Sequence, residues 1–314
     1  MINMIISASR RTDIPAFYSE WFMNRIKDGY VMTRNPFNYH QISKINLDPK
    51  VIDAFVFWTK NPKNMLNKLN QLNQYNYYFL FTLTSYDKSL EKNVPSKKYI
   101  IKYFKKLSNK IGEKRVIWRY DPILLTDKFD KQYHNKYFEK IAEQLENHTN
   151  ECIISYIDLY KKTQKNLADI NLIELNKNDM KEIAENLKNI ADKYNIKLKT
   201  CGEKIDLNDI GVPHGKCIDD KLISNMIDSQ MNVNKDPNQR EECGCVKSID
   251  IGAYNTCRNN CLYCYATFNK KTVNTNMKKH NPKSPLFLGE LTKDDKINER
   301  EIKSFIEKKQ SLFD

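Results

Sequence analysis

One alternation limits the fold of this chain more than any other feature. Short runs of β-branched and aromatic residues are each followed by a stretch with helical spacing. The runs are residues 5–9, 30–33, 54–59, 77–83, 115–119, 151–157 and 197–201, with 248–251 as an eighth. Helices are predicted over 17–27, 62–73, 96–111, 130–146 and 179–194, the last with Asn178 as its cap. Parallel strands cannot be joined by a tight turn. Each pair needs a crossover, usually a helix. Repetition of that unit predicts an α/β fold with a parallel sheet. Seven or eight units over residues 1–267 predict a TIM-like (β/α) barrel, full or partial. The competitor is a doubly wound sheet, which carries Gly-x-Gly-x-x-Gly when it binds dinucleotides. That motif is absent, and the chain has only 8 glycines. Residues 268–314 are expected to form a C-terminal extension packed on the barrel. It should include a flexible segment at 272–284 and a helix near 299–309.

Composition excludes some classes. No apolar run approaches the ~18 residues of a membrane span. The first ten residues lack a basic region followed by an apolar stretch, so no export signal and a cytoplasmic location are expected. In a reducing compartment the 8 cysteines are expected to be ligands rather than disulfides. The net charge of +13 admits a nucleic-acid partner. Heavy use of Lys, Asn and Ile, with lysines spread over helix faces such as Lys97, Lys98, Lys102, Lys105 and Lys106, makes compositional bias the plainer reading. The 5 histidines are scattered, without metal-ligand spacing.

Chemistry concentrates in the cysteines. Cys257, Cys261 and Cys264 form Cys-x3-Cys-x2-Cys, with Tyr263 just before the last. Three thiolates so close cannot all pair as disulfides, but they can hold three corners of a [4Fe–4S] cluster and leave one iron open. A structural zinc site is the alternative, although zinc favours paired Cys-x2-Cys units. Cys201, Cys217, Cys243 and Cys245 are a dispersed second set that could hold another [4Fe–4S] cluster or zinc. Cys152 reads as a core residue.

In a barrel the active site lies at the C-terminal ends of the strands. Those ends carry Ser7, Arg10, Arg11 and Asp13, then Arg34, then Trp58 and Lys60, then Arg119 and Asp121, then Asp158, then Glu203. Arginines among carboxylates suit an anionic, hydrogen-bonding ligand. Lys60 could be a base or a carboxylate clamp, or a surface lysine. Lys60, Arg119 and Asp121 are the candidate catalytic residues.

The triplet resembles that of the radical S-adenosylmethionine enzymes. The chain as a whole resembles an uncharacterised bacterial family of radical-S-adenosylmethionine-like proteins. The resemblance rests on residues 7–16, on Phe57-Trp58-Thr59-Lys60-Asn61-Pro62, on Trp118-Arg119-Tyr120-Asp121-Pro122, and on residues 243–245 and 254–266. It implies that the open iron binds S-adenosylmethionine, which is cleaved reductively to a 5′-deoxyadenosyl radical. It also implies cofactor contacts by Ser7, Arg10, Arg11, Asp13 and Arg34, and a flavodoxin- or ferredoxin-type electron donor. The usual member carries its triplet after the first barrel strand. Here it follows the last, so the barrel should be circularly permuted, with 248–251 as its first strand and 5–9 beside it. The family's Gly-Gly-Glu is missing, and Cys201-Gly202-Glu203 is a partial echo. The substrate, whether small molecule, peptide or nucleic acid, is not identified. A photoproduct-lyase-like enzyme acting on nucleic acid and a non-enzymatic iron–sulfur or zinc protein are the alternatives.

Overall fold

The structure, a computed structural model, describes residues 4–35 and 37–300. Its strands are β1 (Met4–Ala8), β2 (Tyr30–Arg34), β3 (Gln41–Asn46), β4 (Ile52–Thr59), β5 (Tyr77–Thr82), β6 (Val116–Ile123), β7 (Glu151–Tyr156), β8 (Lys197–Thr200), β9 (Ile249–Asp250) and β10 (Lys296–Glu299). Its helices are α1 (Ile14–Phe17), α2 (Ser19–Asp28), α3 (Lys63–Leu66), α4 (Lys97–Ile111), α5 (Lys131–Leu145), α6 (Lys161–Asn166), α7 (Lys177–Lys193), α8 (Asp220–Ile227) and α9 (Lys270–Lys278).

The fold is mixed α/β around a 7-stranded parallel sheet in the order β8-β7-β6-β5-β4-β1-β9. The order runs one way from β1 through β4 to β8, and the chain then returns to the far side of β1. β9, the last of these strands in the chain, lies beside β1, the first. Residues 30–33, expected as the second strand of this sheet, are instead in a separate 3-stranded sheet of order β10-β3-β2. The cause is local. Asn35 Oδ1 accepts from the backbone of Phe37 and Asn38, which turns the chain back into β3 as an antiparallel hairpin. β3 reads poorly as a strand because Ile42 and Ile45 are its only large apolar residues.

The helices start where side chains cap them. Ser96 accepts from Tyr99 N, Asp130 from Tyr133 N, and Asn176 makes a capping box with Asp179 two residues before the expected cap. The helix predicted over 17–27 is split at Tyr18, and that over 62–73 breaks after one turn. Residues 272–284, expected to be flexible, are ordered by packing. Asn269 caps α9, Val273 is buried, and Trp21 Nε1 and Arg25 Nη2 donate to the carbonyls of Ser284 and Lys283. Beyond Glu299, where β10 ends, most of the helix expected near 299–309 lies outside the described residues.

Strand alternation gives the sheet two apolar faces. Ile6, Phe55, Phe57, Phe79, Phe81, Trp118 and Ile154 join the core that includes Phe22, Phe104, Phe138 and Leu187 of the helices. Ile5, Ala54, Val56, Tyr78, Leu80, Ile117 and Ile153 face the other way. They are covered by Cys217, Ile218, Ile223, Cys243, Cys245 and Val246, from the long connection between β8 and β9. That connection holds only α8 and one 3-10 turn, Asn208–Ile210, so its shape depends on side-chain contacts. Tyr78 is one of them. Its hydroxyl donates to Cys217 O at 2.6 Å and accepts from Asp219 N at 3.1 Å.

Candidate metal centres

β9 delivers the triplet. Asp250 ends the strand and accepts from Ser7 Oγ at 2.8 Å, Ser9 Oγ at 2.6 Å, Arg10 N at 2.9 Å and Gly252 N at 3.0 Å. This carboxylate joins β9 to the end of β1. Gly252 fits closely there, since a Cβ would lie 2.3 Å from Ser9 Oγ. The loop then turns through Asn255 and Asn260, both left-handed, a conformation asparagine tolerates. Asn255 closes it. Its N–H donates to Ala266 O, and its Oδ1 accepts from Phe268 N.

Other segments clamp the loop from outside. Tyr18 Oη donates to Thr256 O at 2.6 Å, Asn259 Nδ2 to Asp13 Oδ2 at 3.2 Å, Asn93 Nδ2 to Arg258 O at 2.8 Å, and Tyr265 Oη to Arg10 O at 2.9 Å. Cys261 is buried, while Cys257 and Cys264 are partly exposed. Burial, then Asp13 and Cys264, push the Cys257 thiol up to about 12. Burial likewise holds Cys261 well above the usual thiol range. A bound cation would reverse this preference.

Glu91 is the hub of the clamp, and nothing in its sequence context marked it. Its buried carboxylate accepts from Lys60 Nζ at 2.7 Å, Thr84 Oγ1 at 2.7 Å, Lys97 Nζ, and Tyr263 Oη from the triplet loop. Its backbone neighbours bind the same loop, with Leu262 N donating to Leu90 O. Burial pushes Glu91 up, but Lys60 and Lys97 more than offset it and hold it near 2. Burial opposes charge on Lys60 as well, yet Glu91 keeps its ammonium protonated above the usual lysine range. Such a lysine suits a brace better than a general base. Asp13 is also used structurally. It caps α1 through Ala16 N and accepts from Lys60 N at 2.8 Å, and burial raises its pKa to about 6.

The second cysteine set converges although it is dispersed in sequence. Among the described residues, Cys201, Cys217 and Cys245 are the three metal-binding groups whose donor atoms all lie within 4.8 Å of one another. Cys201 and Cys217 sulfurs are 3.2 Å apart, and Cys217 N donates to Cys245 Sγ at 3.2 Å. Hydrogen bonds from Cys201, Cys217 and Cys243 hold Cys245 far below the usual thiol range. The backbone N–H of Ile218 donates to the same sulfur at 3.4 Å. The triplet forms no group this compact.

Between the two thiol sets stand two expected residues. Arg10 lies over Trp58 at 5.7 Å, feels the charges of Cys245, Cys217, Asp250 and Tyr265, and leaves its buried Nη2 without a hydrogen-bond partner. Arg119 is fully engaged. It pairs with Asp121 through two nitrogens, and its Nη1 donates to Cys217 Sγ at 2.7 Å. Glu203, at the end of β8, is pushed up to about 7 by burial and accepts from Tyr156 N. Arg11 lies over Tyr254 at 5.1 Å. Arg34 stands apart from these, in the small sheet, and grips Asp295 with Nη1 and Nη2.

Among the described residues no helix is long and apolar enough to cross a membrane. No curated protein and no solved structure matches the chain. A family model does, over residues 5–266, and by that match the chain belongs to the family described as a domain of unknown function, DUF1848.

Proposed function

We propose that this chain is a radical S-adenosylmethionine enzyme with an open, partial barrel in permuted strand order. The observation that carries this reading is the placement of the triplet loop. It leaves β9 over the C-terminal ends of parallel strands, where α/β folds bind ligands, and it is clamped there by two other stretches, residues 10–18 and 90–93. The strand order, which runs one way from β1 to β8 and has β9 beside β1, supports the barrel. So does the filling of the sheet's second face by the irregular connection rather than by a second layer of long helices.

The residues suit a [4Fe–4S] group. Three thiols come from one loop, and their spacing is wider than that of the compact second set. When bound, such a group supplies one electron to S-adenosylmethionine, releasing methionine and a 5′-deoxyadenosyl radical that takes hydrogen from substrate. The chain's own residues shape the space beside it. Arg10, with its buried unpartnered Nη2, offers a cation to a carboxylate. Trp58 lies beside that guanidinium. Glu91 and Lys60 hold Tyr263 and hence the loop. Arg119, shared between Asp121 and Cys217, fixes the opposite wall.

The test is anaerobic reconstitution, reduction and addition of S-adenosylmethionine. 5′-Deoxyadenosine is expected from the wild type and not from Cys257→Ala/Cys261→Ala/Cys264→Ala; no difference between them overturns the reading. A second reading, action on nucleic acid, is favoured by Tyr160, Tyr254 and Tyr265. All three are 44–49 % exposed, with Tyr160 and Tyr265 rings 6.5 Å apart. Such rings can stack on bases. Salt-sensitive oligonucleotide binding would support it, and no binding at low salt would exclude it.

A further inference from the structure

We propose that Cys201, Cys217, Cys245 and Cys243 hold a single thiophilic divalent ion of the zinc class, and that this ion staples the β8–β9 connection under the sheet. The inference does not rest on the reading of the triplet.

The spacing identifies the kind of ion. Zinc lies ~2.3 Å from thiolate sulfur, so tetrahedral ligands stand ~3.8 Å apart. The 3.2 Å between Cys201 and Cys217, and the 4.8 Å bound on the whole trio, bracket that value. A cubane sets its ligands on separate irons and so spreads them further. Cys243 completes the set. It is buried, and it lies two residues from Cys245 with only Gly244 between, so its thiol is carried by the same turn.

Charge is met as well. Four thiolates around a dication leave two negative charges in a buried place. Arg119 donates directly to Cys217 Sγ, and Arg10 feels Cys245 and Cys217. These are the outer partners a thiolate site requires.

The fold gives the ion a task. The connection from Cys201 to Val246 has one 8-residue helix and one 3-10 turn, too little regular structure to hold its shape. Yet it must cover Ile5, Val56, Leu80 and Ile153. The four cysteines lie at its start, at its middle and at its end. One ion joining them fixes all three points, as structural zinc does in small domains.

The test is metal analysis of the full chain and of Cys257→Ala/Cys261→Ala/Cys264→Ala, both purified anaerobically without added chelator. About one zinc per chain is expected in each, and it should remain when the triplet is gone. Cys217→Ser should release it. Arg119→Gln should keep the one-to-one ratio but lose zinc to a competing chelator ~10–100-fold more readily. Iron with cluster absorption in the triplet variant would overturn the proposal. So would a metal-free wild type, whether its thiols are free or Cys201 is bonded to Cys217. The wild-type measurement needs no variant to fold. A zinc-bound wild type that forms no 5′-deoxyadenosine would count against the triplet reading alone.

Discussion

Glu91→Gln tests whether the clamp on the triplet loop is as central as its contacts indicate. The change keeps the shape of the side chain and removes its charge. Two ammoniums then meet a neutral amide. Lys97, 27 % exposed at its side chain, can turn toward water. Lys60, 11 % exposed, cannot, and its charge is left buried without a counter-ion. Removing one partner of a buried ion pair costs about 3–5 kcal/mol. Against a total stability of ~5–15 kcal/mol that is a large share. The assay is urea unfolding at pH 7, followed by circular dichroism, on full-length protein prepared without iron so that cluster binding does not enter. A second variant, Glu91→Gln/Lys60→Met, deletes the orphaned charge along with the pair. Replacing a buried pair by apolar groups is often nearly neutral, so at least half of the lost stability should return. A loss under about 1 kcal/mol in the single variant, or a double variant no more stable than the single, would refute the argument.

Two further predictions concern the frame around the site. His134 is fully buried, with Nδ1 against Tyr120 Oη at 2.8 Å and Nε2 against Leu124 O at 3.0 Å. Burial holds its pKa down to about 4, against ~6.5 in the unfolded chain. The unfolded state therefore binds more protons between those values. Its contribution, about 3 kcal/mol, is present above pH ~6.5 and is lost as pH falls toward 4. His134→Gln should flatten that part of the stability–pH curve, and an unchanged slope would be evidence against it. Gly252→Ala places a Cβ 2.3 Å from Ser9 Oγ and 2.6 Å from Ser9 Cβ. Displacing Ser9 from Asp250 should destabilise the protein by about 1–3 kcal/mol; a variant with wild-type thermal stability contradicts the close fit.

Much of the sheet was legible because its strands are buried on both faces and read as continuous apolar runs, such as Tyr77-Tyr-Phe-Leu-Phe-Thr82. The pairing of β9 with β1 was legible from the resemblance, through the triplet's position. Tyr30 to Arg34 misled, because a β-rich run does not say which sheet it joins; the Asx turn at Asn35 decided that. Residues 272–284 misled because basic, polar composition hides a segment ordered by carbonyls, which accept bonds from Trp21 and Arg25 whatever the side chains are. The convergence of Cys201, Cys217 and Cys245 is tertiary, and only residue type hinted at it. Glu91 and Asp250 left no local trace. Their importance comes from partners as far away as Tyr263 and Ser7.

The bond between Ser7 and Asp250 spans 243 positions. It fixes a timetable for synthesis. When β1 leaves the ribosome, the strand that will cover its outer edge does not yet exist. At roughly 5–20 residues per second, that edge waits about 10–50 s for β9. Met4-Ile-Ile-Ser-Ala8 is apolar, and a waiting apolar edge invites pairing with another chain. The loop that carries the triplet is made later still, and its clamps belong to segments finished long before. Closure of this loop is therefore a final event, open only to chains that have kept the outer edge of their first strand unpaired until the end.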